Sequence, residues 1–335
     1  TTSPELISAK GVPSQPQVAL NFSERMDPAT ATNTSNYQIS GPSGALQVTE
    51  AQISASGDQV ILITAEQVVG TEYTLTLNNI TDLAASPNSL AAGTTASFFS
   101  LGKLLQGTDG FVVWEAETYD RNLDERWIEV RNREGASDGV GMLIPNGAGG
   151  NETDTNLEYD IVFTKTGTHV IWYRAGADSG SDDSAWLRID GERPPNRTEG
   201  NQASMSGFNG SIWEWNSDPQ DGASPMSFEI TEVGVHTIGV ARREDGAFFD
   251  KFVITVDPNF DPDVFGDFGP AITLREGEPV PEGAKAEITL NPEDSEGIEN
   301  TSLTLTAGFE VPEGALASAQ WQRQDGNDFI DIAGE

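Results

Sequence analysis

Short apolar stretches, broken every few residues by Gly, Pro, Asn or Asp, run through the whole chain. Examples are residues 18–22, 59–64, 157–163, 169–173 and 252–256. β-Branched and aromatic residues in such stretches are typical of strands, and the breaks are typical of turns. Almost no window of ten or more residues has the i, i+3, i+4, i+7 spacing of an amphipathic helix. The pattern therefore predicts an all-β chain built of tandem sandwiches.

The charge balance limits the partners of such a chain. Its 335 residues include 53 Asp and Glu against 18 Lys and Arg, a formal net charge of −35. Contact with phosphates requires a basic face, so we expect no binding to nucleic acid or to anionic membranes. No run of about 18 apolar residues is present, so no membrane insertion is expected. With no Cys, disulfides, thiolate nucleophiles and Cys-ligated metals are excluded.

Cations and tryptophans divide the chain into regions. Residues 1–100 hold only two cations, Lys10 and Arg25, and no Trp, whereas residues 111–257 hold six of the seven Trp and both His. Residues 258–270 are rich in Asp, Pro, Gly and Phe without periodicity, which is typical of a linker. We therefore expect a domain at 1–102, a second at 111–257, a linker at 258–270 and a partial domain at 271–335.

Three motifs occur in order in the first region: VALNFSERMD from Val18, TATNTSNY ending at Tyr37 and GTEYTLTL ending at Leu77. Together they resemble the bacterial immunoglobulin-like domains found along S-layer and polysaccharide-degrading proteins. Such domains act as spacers, and without Trp, His or an acidic cluster no catalytic role is expected here. In the last region, Trp321 stands on a strand pattern before a turn, and the segment resembles the early half of another immunoglobulin-like domain.

Glu115 and Glu117 lie two positions apart in WEAE, at the start of the central region. On a strand the side-chain period is two, so both carboxylates are expected on one face, where they repel unless a cation or a proton joins them. Ca²⁺, which takes about six to eight oxygen ligands, suits such a pair. Asp250, near the end of the region, completes the site if the first and last strands are neighbours. The alternative is three solvated carboxylates on edge strands.

An ordered set of motifs spans the central region: EAETY from Glu115, GTHVIWYR ending at Arg174, IDG at 189–191, GVHTI ending at Ile238 and FDKFVI ending at Ile254. Together they resemble the calcium-containing β-sandwich carbohydrate-binding modules of families 6, 35 and 36. The resemblance implies a jelly roll of the galactose-binding type. It also implies that Glu115, Glu117 and Asp250 bind a structural Ca²⁺, supplemented by backbone carbonyls.

Sugar recognition requires an aromatic face that stacks on the apolar side of a pyranose ring, flanked by planar hydrogen-bonding groups. Residues 207–216 are rich in Gly and Asn and hold Trp213 and Trp215, which share a face if the segment is extended. One of the two is expected to fill the core and the other to meet ligand, and the spacing does not say which. Trp127 lies in the first loop, where family 6 modules often carry a stacking aromatic, and is a further candidate.

A second loop, RREDG at residues 242–246, directly precedes the last strand. Arg243 either binds a hydroxyl, carboxylate or sulfate of a sugar as a planar fork or pairs with Glu244 or Asp245. All three are candidate ligand-binding residues, although family 6 modules often present Asn in this loop. Asp183 opens the strand before Trp186 and either faces the same rim or belongs to a solvated turn.

These features predict a non-catalytic polysaccharide-binding region of a larger secreted bacterial carbohydrate-active enzyme. One alternative is a structural or adhesive cell-surface array. Another is a glycoside hydrolase or polysaccharide lyase, whose acids would come from Glu214, Asp218, Glu244 and Asp245. The acidic surface favours a secreted or cell-surface protein of a marine or salt-exposed bacterium, and we expect a monomer covalently linked to further domains. Arg243 favours an anionic glycan and the net charge opposes it, so the glycan class stays open.

Overall fold

The computed structural model describes residues 2–124, 126–131, 133–150, 156–194, 203–208, 210–220 and 224–279, together with the backbone of four short strands between residues 287 and 331. The regular secondary structure of the described chain is almost entirely β, which confirms the predicted fold class. Contacts divide the chain into two units, one of residues 1–261 with 273–279 and the other of residues 262–272 with 280–335. Among the described residues, no helix is long and apolar enough to cross a membrane.

Two antiparallel four-stranded sheets form a sandwich over the first 100 residues. Its strands are β1 (Leu6–Gly11), β2 (Gln17–Phe22), β3 (Tyr37–Gly41), β4 (Gly44–Leu46), β5 (Val48–Ile53), β6 (Gln59–Thr64), β7 (Glu72–Leu77) and β8 (Thr94–Phe99). The sheet orders are β1-β2-β6-β5 and β4-β3-β7-β8. Val18 and Leu20 of β2 and Val60 and Leu62 of β6 are fully buried, so alternate residues of each strand form the core.

Helical structure is limited, in the described part of the chain, to one α-helical turn, α1 (Pro28–Ala31), and to three 3₁₀ turns at Thr34–Asn36, Ser137–Gly139 and Pro262–Phe265. Asp27 caps α1, because its carboxylate accepts a hydrogen bond from the backbone N–H of Ala29 at 3.0 Å. Pro28 occupies the first helical position, where no backbone donor is needed. The turn that begins at Ser137 contributes to the site described below.

The central region forms a second sandwich. Its strands are β9 (Leu104–Leu105), β10 (Val112–Glu115), β11 (Arg121–Asn122), β12 (Ile128–Val130), β13 (Gly141–Leu143), β14 (Asn156–Phe163), β15 (Gly167–Ala177), β16 (Ala185–Ile189), β17 (Ser204–Ser206), β18 (Gly210–Asn216), β19 (Asp218–Pro219), β20 (Ser227–Ile230), β21 (Gly234–Arg242) and β22 (Ala247–Thr255). One sheet has the order β12-β13-β22-β15-β18, with β10 beside β22 and β20 beside β15. The other has the order β11-β14-β21-β16-β17-β19, with β9 beside β14.

Aromatic side chains fill the centre of this second sandwich. Trp114 of β10 stacks on Phe252 of β22, with ring centroids 5.3 Å apart, and Tyr159 of β14 lies 5.5 Å from Trp114. The Tyr159 hydroxyl donates a hydrogen bond to the carbonyl of Ala116 at 2.6 Å. These contacts join the two sheets and fix the position of the chain that leaves β10.

The register of β10, β22, β15 and β18 brings several polar and aromatic side chains to one outer face of the first of these sheets. Lys251 pairs across the strands with both Glu115 and Arg174, and Arg174 pairs with Trp215. Residues that pair directly across strands lie on the same face. Arg174 pairs with Lys251, and the next residue, Ala175, pairs with Phe249. Asp250 is left without a partner in the register and is the additional residue of a β-bulge. Bulges redirect side chains, and here Asp250 reaches Arg174.

Residues 273–279 pack into the first unit, although they were predicted to belong to a partial domain at 271–335. Thr273 covers the edge of β10: its N–H donates to the carbonyl of Val113 at 2.9 Å, and its hydroxyl accepts from the N–H of Val113 at 3.0 Å. An uncovered strand edge leaves backbone donors and acceptors without partners, which explains why the chain returns to this edge after the predicted linker. The side chain of Arg275 is buried in the same segment.

The second unit contains two antiparallel strand pairs. They are β23 (Glu287–Leu290) with β24 (Gly308–Glu310), and β25 (Gln322–Asp325) with β26 (Asp328–Asp331). Trp321, on which the prediction of a partial immunoglobulin-like domain depended, lies outside the described residues. That domain therefore stays a prediction.

Candidate functional site

A buried polar cluster lies on the outer face of the β10–β22–β15 sheet. Lys251 Nζ lies 3.0 Å from Glu115 Oε1, and Arg174 Nη1 lies 2.5 Å from Asp250 Oδ2. The Ser137 hydroxyl lies 2.6 Å from Glu115 Oε2 and 3.0 Å from Asp250 Oδ2, and its backbone N–H donates to Asp250 Oδ1 at 2.8 Å. None of the four charged residues is more than 5% exposed. The cluster therefore pairs two acidic side chains with two basic ones, and their hydrogen bonds are largely satisfied.

Glu117 differs from the other two predicted metal ligands. Strand β10 ends at Glu115 and Glu117 lies in the following turn, so the expectation that both carboxylates stand on one strand was wrong. Glu117 Oε2 is buried without a hydrogen-bond partner in the described structure. Burial and the negative charge of Glu115 raise the pKa of Glu117 to about 8. Burial also raises the pKa of Glu115 to about 7, against the opposing effect of Lys251.

The arrangement of donors does not fit a Ca²⁺ shared by Glu115 and Asp250. All four of their carboxylate oxygens accept hydrogen bonds from Lys251, Arg174 or Ser137. A Ca²⁺ ion needs about six to eight oxygen ligands, and of these three predicted ligands the described structure records an unpartnered carboxylate oxygen at Glu117 alone. Within the described residues no group of three or more His, Cys, Asp or Glu is arranged to hold a metal ion. The structural Ca²⁺ stays a prediction, and these side chains do not favour it.

Trp213 lies half-buried above the cluster. Its indole ring packs edge-on against Phe248, with centroids 4.7 Å apart, and its Nε1–H donates to the carbonyl of Glu134 at 3.2 Å. A Cβ atom at Gly141 would come within 2.7 Å of the ring, so a residue without a side chain is required there. The Arg174 guanidinium lies 5.9 Å from the ring centroid. The ring is thus held in one orientation while part of it stays exposed.

Trp215 lies two residues further along β18 and is also half-buried. Because the strand period is two, Trp213 and Trp215 share the outer face of β18, as the extended segment predicts. The indole N–H of Trp215 is buried without a hydrogen-bond partner in the described part of the structure. The buried apolar core of the sandwich forms without either ring. The expectation that one of them fills the core was therefore wrong.

The loop that carries Arg243, Glu244 and Asp245 is held together by its own charges. Arg243 Nη1 lies 2.7 Å from Glu244 Oε1, and the Ser184 hydroxyl accepts from Arg243 and donates to Glu244. Asp245 Oδ2 accepts two backbone N–H groups of the turn at 146–149, at 2.8 and 3.0 Å. Of the two alternatives predicted for Arg243, the structure shows the ion pair with Glu244. A ligand-binding role for the three residues stays a prediction.

Asp183 lies on the same rim as this loop. It is half-buried and precedes Ser184, which contacts Arg243. Trp186 is buried, and two guanidinium groups flank its ring: Arg243 at 5.3 Å and Arg188 at 5.6 Å from the centroid. The rim therefore combines carboxylates, guanidinium groups and an aromatic ring.

Trp127, predicted as a stacking aromatic of the first loop, lies in the interior of the sandwich. Its side chain is 2% exposed and packs edge-on against Phe249, with centroids 5.9 Å apart. A buried ring offers no face on which a sugar can stack, so this arrangement corrects the proposed stacking role. The residue lies just before β12, and its ring turns inward to join the apolar core.

The two groups of candidate residues, on the sheet face and on the rim, are linked by side-chain contacts. Phe248, which packs on Trp213, lies under the Arg133 guanidinium, 3.8 Å from ring centroid to Cζ. Arg133 Nη2 lies 2.8 Å from Asp178 Oδ1, and Asn146 donates to the other oxygen of Asp178 at 2.8 Å. A continuous series of side-chain contacts therefore runs from Trp213 towards the Arg243 loop.

Arg174, Lys251 and Ser137 were not predicted as parts of the site. Arg174 was named only as the last residue of the GTHVIWYR motif. Lys251 directly follows Asp250, but its contact with Glu115 depends on the pairing register of β10 and β22, which the sequence does not provide. Ser137 carried no signal in its local sequence.

Two regions of the chain match models of known domain families. Residues 107–260 match the C-terminal domain of glycosyl hydrolase family 115, and residues 1–100 match a bacterial Ig-like domain. The match of residues 1–100 confirms the immunoglobulin-like fold expected for the N-terminal region. The match of residues 107–260 supports a carbohydrate-related accessory role for the central region. The finer likeness to families 6, 35 and 36 stays a prediction.

Among curated proteins, one from Formosa agariphila, described as uncharacterized, is 29% identical over 127 residues. The aligned part is 36% of this chain and 29% of that protein. The chain therefore spans less than a third of the length of the relative it matches.

Similar solved structures are distant. The C-terminal CBM6 of LamC, a marine laminarinase from Zobellia galactanivorans, is 17% identical, with 43% of this chain and 98% of that chain aligned and a TM-score of 0.29. The GH26-CBM35 β-(1,4)-mannanase of Podospora anserina is 13% identical, with 46% and 29% aligned and a TM-score of 0.28. The N-terminal part of the bacterial S-layer protein SbsC is 17% identical, with 53% and 35% aligned and a TM-score of 0.28. Likenesses this weak carry no argument about function.

Proposed function

We propose that residues 107–260 form a non-catalytic polysaccharide-binding module of a larger, secreted or surface-exposed bacterial carbohydrate-active protein. The N-terminal immunoglobulin-like sandwich serves as its spacer, and the catalytic domain of the parent is a glycoside hydrolase or polysaccharide lyase. The match of the central region to a domain of glycosyl hydrolases supports this assignment.

The observation that carries the proposal is the pair of half-buried rings of Trp213 and Trp215 on one face of β18. Two residues i and i+2 on a strand are about 7 Å apart, so the rings offer adjacent apolar platforms. Aromatic faces of this kind stack on the C–H side of a pyranose. Trp213 is fixed by Phe248 and by the carbonyl of Glu134, so little side-chain freedom is lost on binding.

Two of the four acids that hydrolysis would use are engaged in structural contacts, which supports binding rather than hydrolysis. Cleavage of a glycosidic bond requires two carboxyl groups about 5–10 Å apart across a cleft, both free to act on substrate. Glu244 is paired with Arg243, and Asp245 binds the backbone of the turn at 146–149. Both carboxylates are therefore engaged in contacts that hold the loop.

A second candidate function is a structural or adhesive array at the cell surface. It is favoured by the packing of residues 273–279, which bond to the end of the N-terminal region and to the central sandwich. The Gly102 N–H donates to the carbonyl of Glu276 at 2.8 Å, and Thr273 covers the edge of β10. Such a segment restricts the chain between domains, which a rigid array requires.

Affinity electrophoresis of the full chain in gels that contain plant or algal polysaccharides separates the two functions. The binding module is retarded by at least one glycan, and Trp213→Ala or Trp215→Ala reduces the retardation. Val235→Ala, which removes an exposed apolar side chain from the opposite sheet, serves as the control and leaves retardation unchanged. Migration unaffected by every glycan favours the array. Release of reducing ends by the purified chain overturns both functions.

A further inference from the structure

The cluster beneath Trp213 has an internal charge balance. Glu115 is paired with Lys251, and Asp250 is paired with Arg174, at 3.0 and 2.5 Å. An isolated buried carboxylate is strongly unfavourable, and a buried pair is tolerated only if its remaining hydrogen bonds are satisfied. Ser137 supplies a hydroxyl and a backbone N–H to the same two carboxylates. Protein groups thus supply both the pairing of the two carboxylates and their remaining hydrogen bonds.

We infer that Arg174, together with Lys251, supplies the positive charge that a metal ion was expected to bring, and that Arg174 is the positioning residue for the Trp213 platform. The charge balance depends only on the cluster. The effect on ligand binding rests on the proposed function of Trp213.

Arg174 connects the cluster to Trp213 through the backbone of the loop that precedes Ser137. Its Nη1 donates to the carbonyl of Gly135 at 2.9 Å as well as to Asp250. The neighbouring carbonyl, that of Glu134, accepts the indole N–H of Trp213. One planar guanidinium therefore fixes the loop at the position where the ring is anchored. A Lys ammonium provides a charge, but its shorter, freely rotating head does not hold two hydrogens at the fixed angles at which Nη1 serves both acceptors.

A metal ion at this position would conflict with the groups already present. A Ca²⁺ ion close to Glu115 and Asp250 would lie near the charges of Lys251 and Arg174, where like charges repel strongly in a buried site. The backbone N–H of Ser137 points at Asp250 Oδ1, and an N–H group is no metal ligand. Chelation therefore leaves the cluster intact.

The first experiment measures the melting temperature of the full chain with EDTA and with added Ca²⁺. The expected result is the same melting temperature in both, within about 1 °C, because no metal contributes to the fold. Arg174→Met and Lys251→Met each lower the melting temperature by about 5 °C or more, since each leaves a buried carboxylate uncompensated. Arg121→Met is the control: Arg121 pairs with Glu158 and Asp160 but is 30% exposed, so its loss has a smaller effect. A clear fall of the wild-type melting temperature in EDTA overturns the internal charge balance.

The second experiment separates positioning from stability. Arg174→Lys keeps a cation near Asp250, so it recovers most of the melting temperature lost in Arg174→Met. It does not recover the contact with Gly135, so the indole N–H resonance of Trp213, assigned by its loss in Trp213→Phe, shifts or broadens. Glycan retardation weakens about tenfold at a temperature where the variant is folded. An unchanged indole resonance overturns the positioning role. If the wild type binds no glycan, the proposed function fails, whereas the melting and resonance data still test this inference.

Discussion

Arg275 and Asp120 form an ion pair in the interior of the first unit, with Nη2 and Oδ2 3.2 Å apart. The Arg275 side chain is 3% exposed and that of Asp120 is fully buried. Arg275 also donates to the carbonyl of Gly102, and Asp120 accepts the N–H of Asp160 at 2.9 Å. Burial raises the pKa of Asp120 and lowers that of Arg275, because both charged forms are removed from water. The pair therefore ties residues 273–279 to the junction of the two sandwiches.

Replacing Arg275 with Met is expected to lower the free energy of unfolding by about 3–5 kcal/mol, because Asp120 is left buried and unpaired. The double variant Arg275→Met with Asp120→Asn recovers a large part of this loss, since the uncompensated charge is gone. Urea denaturation of the full chain measures both. Arg131→Met is the control: Arg131 is 42% exposed and paired with Glu129, so its loss changes stability by about 1 kcal/mol or less. If Arg275→Met and Arg131→Met lowered the free energy of unfolding equally, the burial of the Arg275 pair would not account for its contribution.

The sandwiches were predictable because they depend on a local pattern. In β2, Val18, Leu20 and Phe22 alternate with polar or small residues, and the structure buries all three. The same alternation recurs in β6 and β7. A period of two requires no knowledge of distant contacts, so the sequence alone identifies such strands and their inward faces.

The site depended on features that are not local. Glu115 meets Lys251 only in one register of β10 and β22, and Asp250 reaches Arg174 only because a bulge shifts the pairing. Glu115 and Glu117 were predicted to lie on one strand with a side-chain period of two, but the strand ends at Glu115. Each of these facts is set by pairing across the sheet, which no stretch of sequence contains.

Trp127→Ala is expected to lower the free energy of unfolding by about 3–5 kcal/mol, since a large buried ring is replaced by a cavity against Phe249. Trp213→Ala costs less, because Trp213 is only half-buried. Chemical denaturation of the two variants gives the comparison. Lost glycan retardation in Trp127→Ala at unchanged stability would restore the stacking role and contradict its placement in the core.

Asp245→Ala is expected to loosen the turn at 146–149, because the N–H groups of Gly147 and Gly149 lose their acceptor. The cost in stability is about 1 kcal/mol, as for a typical hydrogen bond at a partly exposed site. Hydrogen exchange of these two amides becomes faster, whereas Glu214→Ala, which removes an exposed carboxylate of the same sandwich, leaves them unchanged. Exchange rates equal to those of the wild type would show that Asp245 does not hold this turn.

His236 joins two turns of the central sandwich through both of its ring nitrogens. Its Nδ1 lies 2.7 Å from Asp190 Oδ2 and its Nε2 lies 2.9 Å from the carbonyl of Glu232. Both partners are acceptors, so the doubly protonated ring satisfies them best. Burial alone lowers the pKa of His236, but the hydrogen bonds to Asp190 and Glu232 outweigh it and raise the pKa above its usual value of 6.5.

A pKa raised by folding means that the folded chain binds the proton more tightly than the unfolded chain. The contribution of His236 to stability is therefore complete below a pH of about 6.5 and is lost as the pH rises through the raised pKa of the folded state. Urea denaturation of wild type and His236→Gln across this range shows a difference that shrinks with rising pH. An NMR titration provides an internal comparison, because burial lowers the pKa of His169, the other histidine. A His236 that titrates at or below His169 would contradict the ion pair with Asp190.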